Sequence, residues 1–231
     1  MNKLILIRIL LVTILSLGFS YANAQPEVDL LAGEKDKKNT LICDEKQICM
    51  KIQRISKKLQ ILNLVNEKPN LVSVIIDIKS DNLIFDEIFP VVTSIAGFSK
   101  RKITNIEIKS IYEEADIEIS FKWVNGDVFS SHQEADQYYF PYMTGKRYVV
   151  GQGFDEKITH NKNMQYAIDW NMGIGTKVFA ARAGRVVELN TENKDNILGI
   201  KSSLDKANYI KIQHSDGTIA TYGHLKKDGA V

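Results

Sequence analysis

The chain has 231 residues, 44% of them apolar and 25% charged, and its 30 Lys and Arg against 28 Asp and Glu give a formal charge of +2. This balance excludes an intrinsically disordered chain, which lacks the apolar residues to build a core, and a nucleic-acid binder relying on basic excess. The length suits one large domain or two small ones.

Residues 1–24 have the form of a secretory signal peptide. Lys3 and Arg8 make a basic start, residues 9–19 an apolar run, and Ala22-Asn23-Ala24 a small-x-small cleavage site that leaves Gln25 as the new N-terminus. The run is shorter than the roughly 20 residues needed to cross a bilayer, which argues against an uncleaved anchor. No cysteine follows the site to carry a lipid. The protein is therefore expected to be exported, periplasmic or extracellular, with no stable membrane anchor after cleavage. Losing Lys3 and Arg8 leaves 28 bases against 28 acids, so no electrostatic nucleic-acid partner is expected.

Residues 25–40 read as a flexible polar lead-in, with Lys35-Asp36-Lys37-Lys38 a solvated charge run. Cys43 and Cys49 are the only cysteines, and an even count in an exported chain predicts a disulfide between them. A redox or metal pair has less support, because the spacing is not Cys-x-x-Cys and no histidine is near in sequence. Residues 41–128 show short apolar or alternating runs at 48–52, 59–65, 71–78, 90–95, 103–111 and 117–123. Turns are expected at Pro69-Asn70, Asp81-Asn82 and Asn125-Gly126-Asp127. Ile103, Ile106, Ile108 and Ile111 break the alternation and suggest a bulge. The pattern predicts a small antiparallel β-sandwich-like accessory domain with Phe85, Phe89, Phe98, Phe121 and Trp123 in its core. Its task is open between a wall-binding, positioning or blocking module and a plain scaffold.

Residues 129–137 form the linker, in which His132 reads as solvated and not as a ligand. The final domain spans 138–231. Its leading aromatics, Tyr139 and Tyr142 among them, read either as one wall of a substrate groove or as packing between domains. A strand pair is expected at 177–181 and 184–189, a surface insertion at 191–207, and a hairpin of 209–214 with 218–224 turning at Ser215-Asp216-Gly217. Alternation puts Ala220, Tyr222 and His224 on one face, which makes Tyr222 a third groove candidate beside His224. His214, at the turn shoulder, reads as structural.

The chemistry centres on His160, Asp169 and His224. An imidazole and a carboxylate are the donors a zinc hydrolase uses, with one position left open for water and a nearby histidine outside the metal shell to move the proton. The ordered set is His160, Asp169, Gly175-Thr176, Ala180-Ala181-Arg182, Gly184, Asn208, His214-Ser215-Asp216-Gly217-Thr218 and Tyr222-Gly223-His224-Leu225. Over roughly 138–231 this set resembles the lysostaphin-type or LytM-type zinc metallopeptidases, many of which cut peptide bonds in peptidoglycan. The resemblance implies a mainly β fold, an antiparallel LytM-type peptidase sheet of the duplicated-hybrid-motif kind following the sandwich. It also implies Zn2+ as cofactor, His160 and Asp169 as metal ligands, His224 as catalytic, and peptidoglycan peptide as partner.

The chain departs from the family pattern twice. The usual first-ligand position, four residues before the aspartate, is Gln165, while His160 lies nine before Asp169. His160 can serve only if the segment after it loops out, as in a subgroup with Ser/Thr-His, a short insert and Tyr-Ala-x-Asp, matched here by Thr159-His160. The family's His-x-His, which supplies the third ligand and another catalytic histidine, has no counterpart among His132, His160, His214 and His224. The expectation is therefore a sequence incomplete before that segment, an enzyme by family and poorly active as given. The rival expectations are a non-catalytic LytM-fold protein that binds cell wall or activates an amidase, and a generic exported two-domain β binding protein.

Overall fold

The structure, a computed structural model, describes residues 4–12, 27–29, 39–44, 47–113, 115–132, 137–156, 159–160, 164–193 and 207–230. The expected cleavage site, the Lys35-to-Lys38 run, Asn161 and the bulk of the 191–207 insertion lie outside the described residues. The fold is mainly β. Its strands are β1 (Leu4–Val12), β2 (Glu27–Asp29), β3 (Asn39–Cys43), β4 (Ile48–Arg54), β5 (Leu59–Asn66), β6 (Val72–Lys79), β7 (Leu83–Phe85), β8 (Val91–Ile95), β9 (Ser99–Ile108) and β10 (Asp116–Asn125). They continue with β11 (Val150–Gln152), β12 (Ala167–Gly173), β13 (Arg185–Asn190), β14 (Tyr209–Gln213) and β15 (Ile219–Gly223). No described helix is long and apolar enough to cross a membrane. The chain divides into two compact units, Phe19–Gly126 and Met1–Gly18 with Asp127–Val231.

The Phe19–Gly126 unit holds two antiparallel sheets, β2-β10-β6-β8 and β3-β4-β5-β9-β7. Period-two sequence is the reason they share a core. Along β10, Ile117, Ile119, Phe121 and Trp123 are buried at every second position. They meet Leu62 and Leu64 of β5, Val74 and Ile76 of β6 and Ile106 of β9. Each such side chain contributes about 1.5–3 kcal/mol through burial. The broken alternation around Ile103 is a register shift: Leu62 pairs with Thr104, and Asn63 with Lys102.

Cys43 and Cys49 are joined by a disulfide across the β3–β4 hairpin, where they are directly paired. The same turn is held by Asp44, which accepts hydrogen bonds from Ile48 N–H and from the Trp123 indole of β10. β3 and β7 escaped the sequence pattern because each is a short edge strand. One aromatic assignment is corrected. Phe98 is 75% exposed, at a turn with φ of 51° whose N–H bonds Lys68 O, whereas Phe121 and Trp123 are core and Phe85 and Phe89 pack against it.

The second unit is one antiparallel sheet ordered β11-β12-β1-β15-β14-β13. β1, Leu4–Val12, comes from within residues 1–24 read as a leader, shares only residues 9–12 with the expected apolar run at 9–19, and lies between β12 and β15. The register is continuous, Arg8 lying level with Asp169 on one side and Gly223 on the other. Trp170 and Met172 of β12, Ile212 of β14 and Ala220 and Tyr222 of β15 form the core on one face, with Ile168 and Ile210 packed against it. The expected strand at 177–181 is absent. The backbone there bonds the 139–141 segment instead, Phe179 N–H to Pro141 O and Tyr139 N–H to Ala181 O, too few rungs for a strand. Its expected partner is β13, which pairs with β14.

Candidate metal centre

Alternation along β12 sends Ile168, Trp170 and Met172 into the core and leaves Ala167 and Asp169 for the opposite face. That face is covered by the loop between β11 and β12, since Ala167, Asp169 and His160 are all wholly buried. The loop closes on itself, with Asp155 N–H donating to Gln165 O at 2.7 Å. Residues 161–163 lie outside the described residues. The nine-residue separation is thereby spanned, and His160 Nε2 comes within 3.1 Å of Asp169 Oδ1.

His160 Nδ1 is 2.6 Å from the Gly153 carbonyl oxygen, which can only accept, so Nδ1–H donates there and Nε2 faces the carboxylate. Nε2 makes no hydrogen bond, although it is fully buried. The 3.1 Å approach to Asp169 is within ion-pair range but lacks hydrogen-bond direction. Two donors each about 2.0–2.2 Å from one tetrahedral metal lie about 3.3 Å apart. An imidazole tied back through Nδ1 to a backbone carbonyl is a common arrangement for a histidine ligand. The 3.1 Å separation is close to that spacing. Among the described residues, no group of three or more His, Cys, Asp or Glu is placed to hold a metal.

His224 follows Gly223, the β15 residue level with Arg8 and hence with Asp169 two strands away. Strict alternation would send its ring to the side of Tyr222, the core side. The backbone does not continue as strand: His224 has φ of 58°, so the alternation that the sequence suggested ends one residue earlier. The ring is 5% exposed. The kink is held from outside the strand, because Leu225 N–H donates to Asn208 O and Asn208 Nδ2 donates to Leu225 O.

The groove candidates part company. Tyr222 is a core residue whose hydroxyl accepts from Ala181 N–H at 2.7 Å; burial raises its pKa, opposed by that bond. Tyr142 packs among Phe140, Tyr148 and Trp170, and Tyr139 is 69% exposed. His132 stacks against Tyr138. His214 closes the hairpin through its backbone, while its Nδ1–H donates to Ala183 O at 2.8 Å. Arg182 pairs with Asp216 at 2.6 Å and donates to Tyr138 Oη at 3.2 Å. Burial lowers the guanidinium pKa, and those two partners more than restore it. The sequence reading gave no role to Gly153, which bonds His160, or to Gln152 and Glu156, which bond Thr159 and Gly153 beside it; a buried Gln at the end of a three-residue strand leaves no periodic mark.

Comparison of the chain with protein-family models, with curated proteins and with solved structures finds no match in any of the three.

Proposed function

We propose that this chain belongs to an exported zinc metalloendopeptidase that hydrolyses peptide bonds in peptidoglycan stems or cross-links. The carrying observation is the buried His160–Asp169 pair, with Nδ1 bonded to Gly153 O and Nε2 facing the carboxylate at 3.1 Å. The motif resemblance supports the substrate class, and the leader-like sequence of residues 1–24 supports the export. His160 and Asp169 would hold the metal, and Gly153 O would fix the imidazole tautomer. Zinc bound there would supply a water of lowered pKa and polarise the scissile carbonyl. His224 would move the proton from the attacking water towards the leaving amine.

The third donor comes, on this reading, from outside the described residues.

The test is zinc titration of the purified chain, followed by chelator-sensitive release of fragments from purified peptidoglycan. With two donors the chain is expected to bind zinc weakly, and His160→Ala and Asp169→Ala to abolish even that. Variants that bind zinc as the parent does would remove the pair as ligands. The second reading is a non-catalytic relative that binds wall or activates an amidase. It gains if the chain sediments with peptidoglycan and releases nothing at saturating zinc.

A further inference from the structure

Resting on the metal reading above, we propose that Gln152 is the positioning residue for His160. Its side-chain amide clasps the two points of the loop that decide where the ring stands.

Gln152 ends β11, level with Asp169, and is 7% exposed although the two residues before it are exposed. A buried amide must find partners for both its ends. Oε1 accepts from Thr159 Oγ1 at 2.9 Å, on the residue immediately before His160. Nε2 donates to the Glu156 carbonyl at 3.3 Å, in the middle of the loop. Glu156 turns back in the same direction, its Oε1 accepting from Gly153 N–H at 2.8 Å. Gly153 then presents its carbonyl to His160 Nδ1. One side chain thus ties the segment carrying the imidazole to the strand end whose next residue orients it.

The position requires a side chain that both donates and accepts. Glutamate would set a second acceptor against the Glu156 carbonyl, and leucine, of similar shape, would leave Thr159 Oγ1 and Glu156 O without the amide.

Gln152→Leu and, separately, Thr159→Val and Thr159→Ser are compared with the parent and with His160→Ala in two measurements. Zinc affinity by competition with a chromogenic chelator is expected to fall about 10–100-fold in Gln152→Leu, as for other outer-sphere partners of a histidine ligand. Thr159→Val is expected to weaken binding in the same direction, and Thr159→Ser to restore it. In metal-free protein, the His160 Nδ1–H resonance in imidazole nitrogen spectra is expected to be protected from exchange in the parent and lost in Gln152→Leu. The proposal is overturned if both Gln152→Leu and Thr159→Val keep the parent's resonance. If that resonance responds as expected while His160→Ala binds zinc like the parent, the clasp stands and the metal reading fails. If Gln152→Leu does not fold, Thr159→Val against Thr159→Ser decides.

Discussion

Asp216 occupies the turn between β14 and β15, where burial alone would raise its carboxyl pKa. The Thr218 hydroxyl at 2.6 Å, the Arg182 guanidinium at 2.6 Å and Thr218 N–H outweigh burial and hold it at about 2. A carboxylate with a lowered folded-state pKa contributes stability that is complete above its unfolded value and is lost as pH falls through the folded one. The window here runs from about pH 4 down to about pH 2, and the contribution is about 2 kcal/mol. Urea unfolding of the unit formed by Met1–Gly18 and Asp127–Val231, followed in the full chain at pH 6 and pH 2, should show this loss in the parent, and Asp216→Asn should have a smaller difference between the two pH values. Tyr222 makes a simpler case. Tyr222→Phe leaves the buried Ala181 N–H without its acceptor and should cost about 1–2 kcal/mol in the same measurement.

At the scale of elements, the centre of the second sheet is the informative place. β12 and β15 do not pair with each other; each pairs with β1, through seven and five residue pairs respectively. Cleavage of a leader at residue 24 would therefore open two strand edges inside one sheet, and unpaired edges recruit other strands. Hydrogen exchange of the chain starting at Gln25, compared with the chain starting at Met1, should show faster exchange in Ala167–Gly173 and Ile219–Gly223. The β2–β10 strands of the other unit that remain should be unaffected. Equal protection in the two chains would mean that β1 does not hold these edges. The kink at His224 belongs to this scale too, since Asn208, sixteen residues earlier in sequence, sets it by bonding Leu225.

For the whole molecule, each unit has its own hydrophobic core, one built on Leu62, Leu64, Ile76 and Ile106 and the other on Trp170, Met172 and Tyr222. Separate cores give units that can fold separately. Leu62→Ala should destabilise the Phe19–Gly126 unit by about 2–5 kcal/mol in denaturant unfolding. It should leave the stability of the other unit unchanged, and a parallel loss there would show that the second unit depends on the first core.

The amino-acid sequence by itself determined what depends on neighbours along the chain. Period-two alternation located β4, β5, β6, β8, β10 and the β14–β15 hairpin, and the imperfect run after Ile103 announced a bulge. Tertiary structure decided whatever depends on which distant segments meet. It closed the loop that brings His160 to Asp169, placed Gln152 behind it, turned Phe98 outward, withheld a strand from 177–181 and set Leu4–Val12 in the middle of a sheet. The physical reason is that side-chain alternation is a local property of a strand. Register and loop closure are fixed by hydrogen bonds between residues far apart, and no short stretch of sequence encodes both partners.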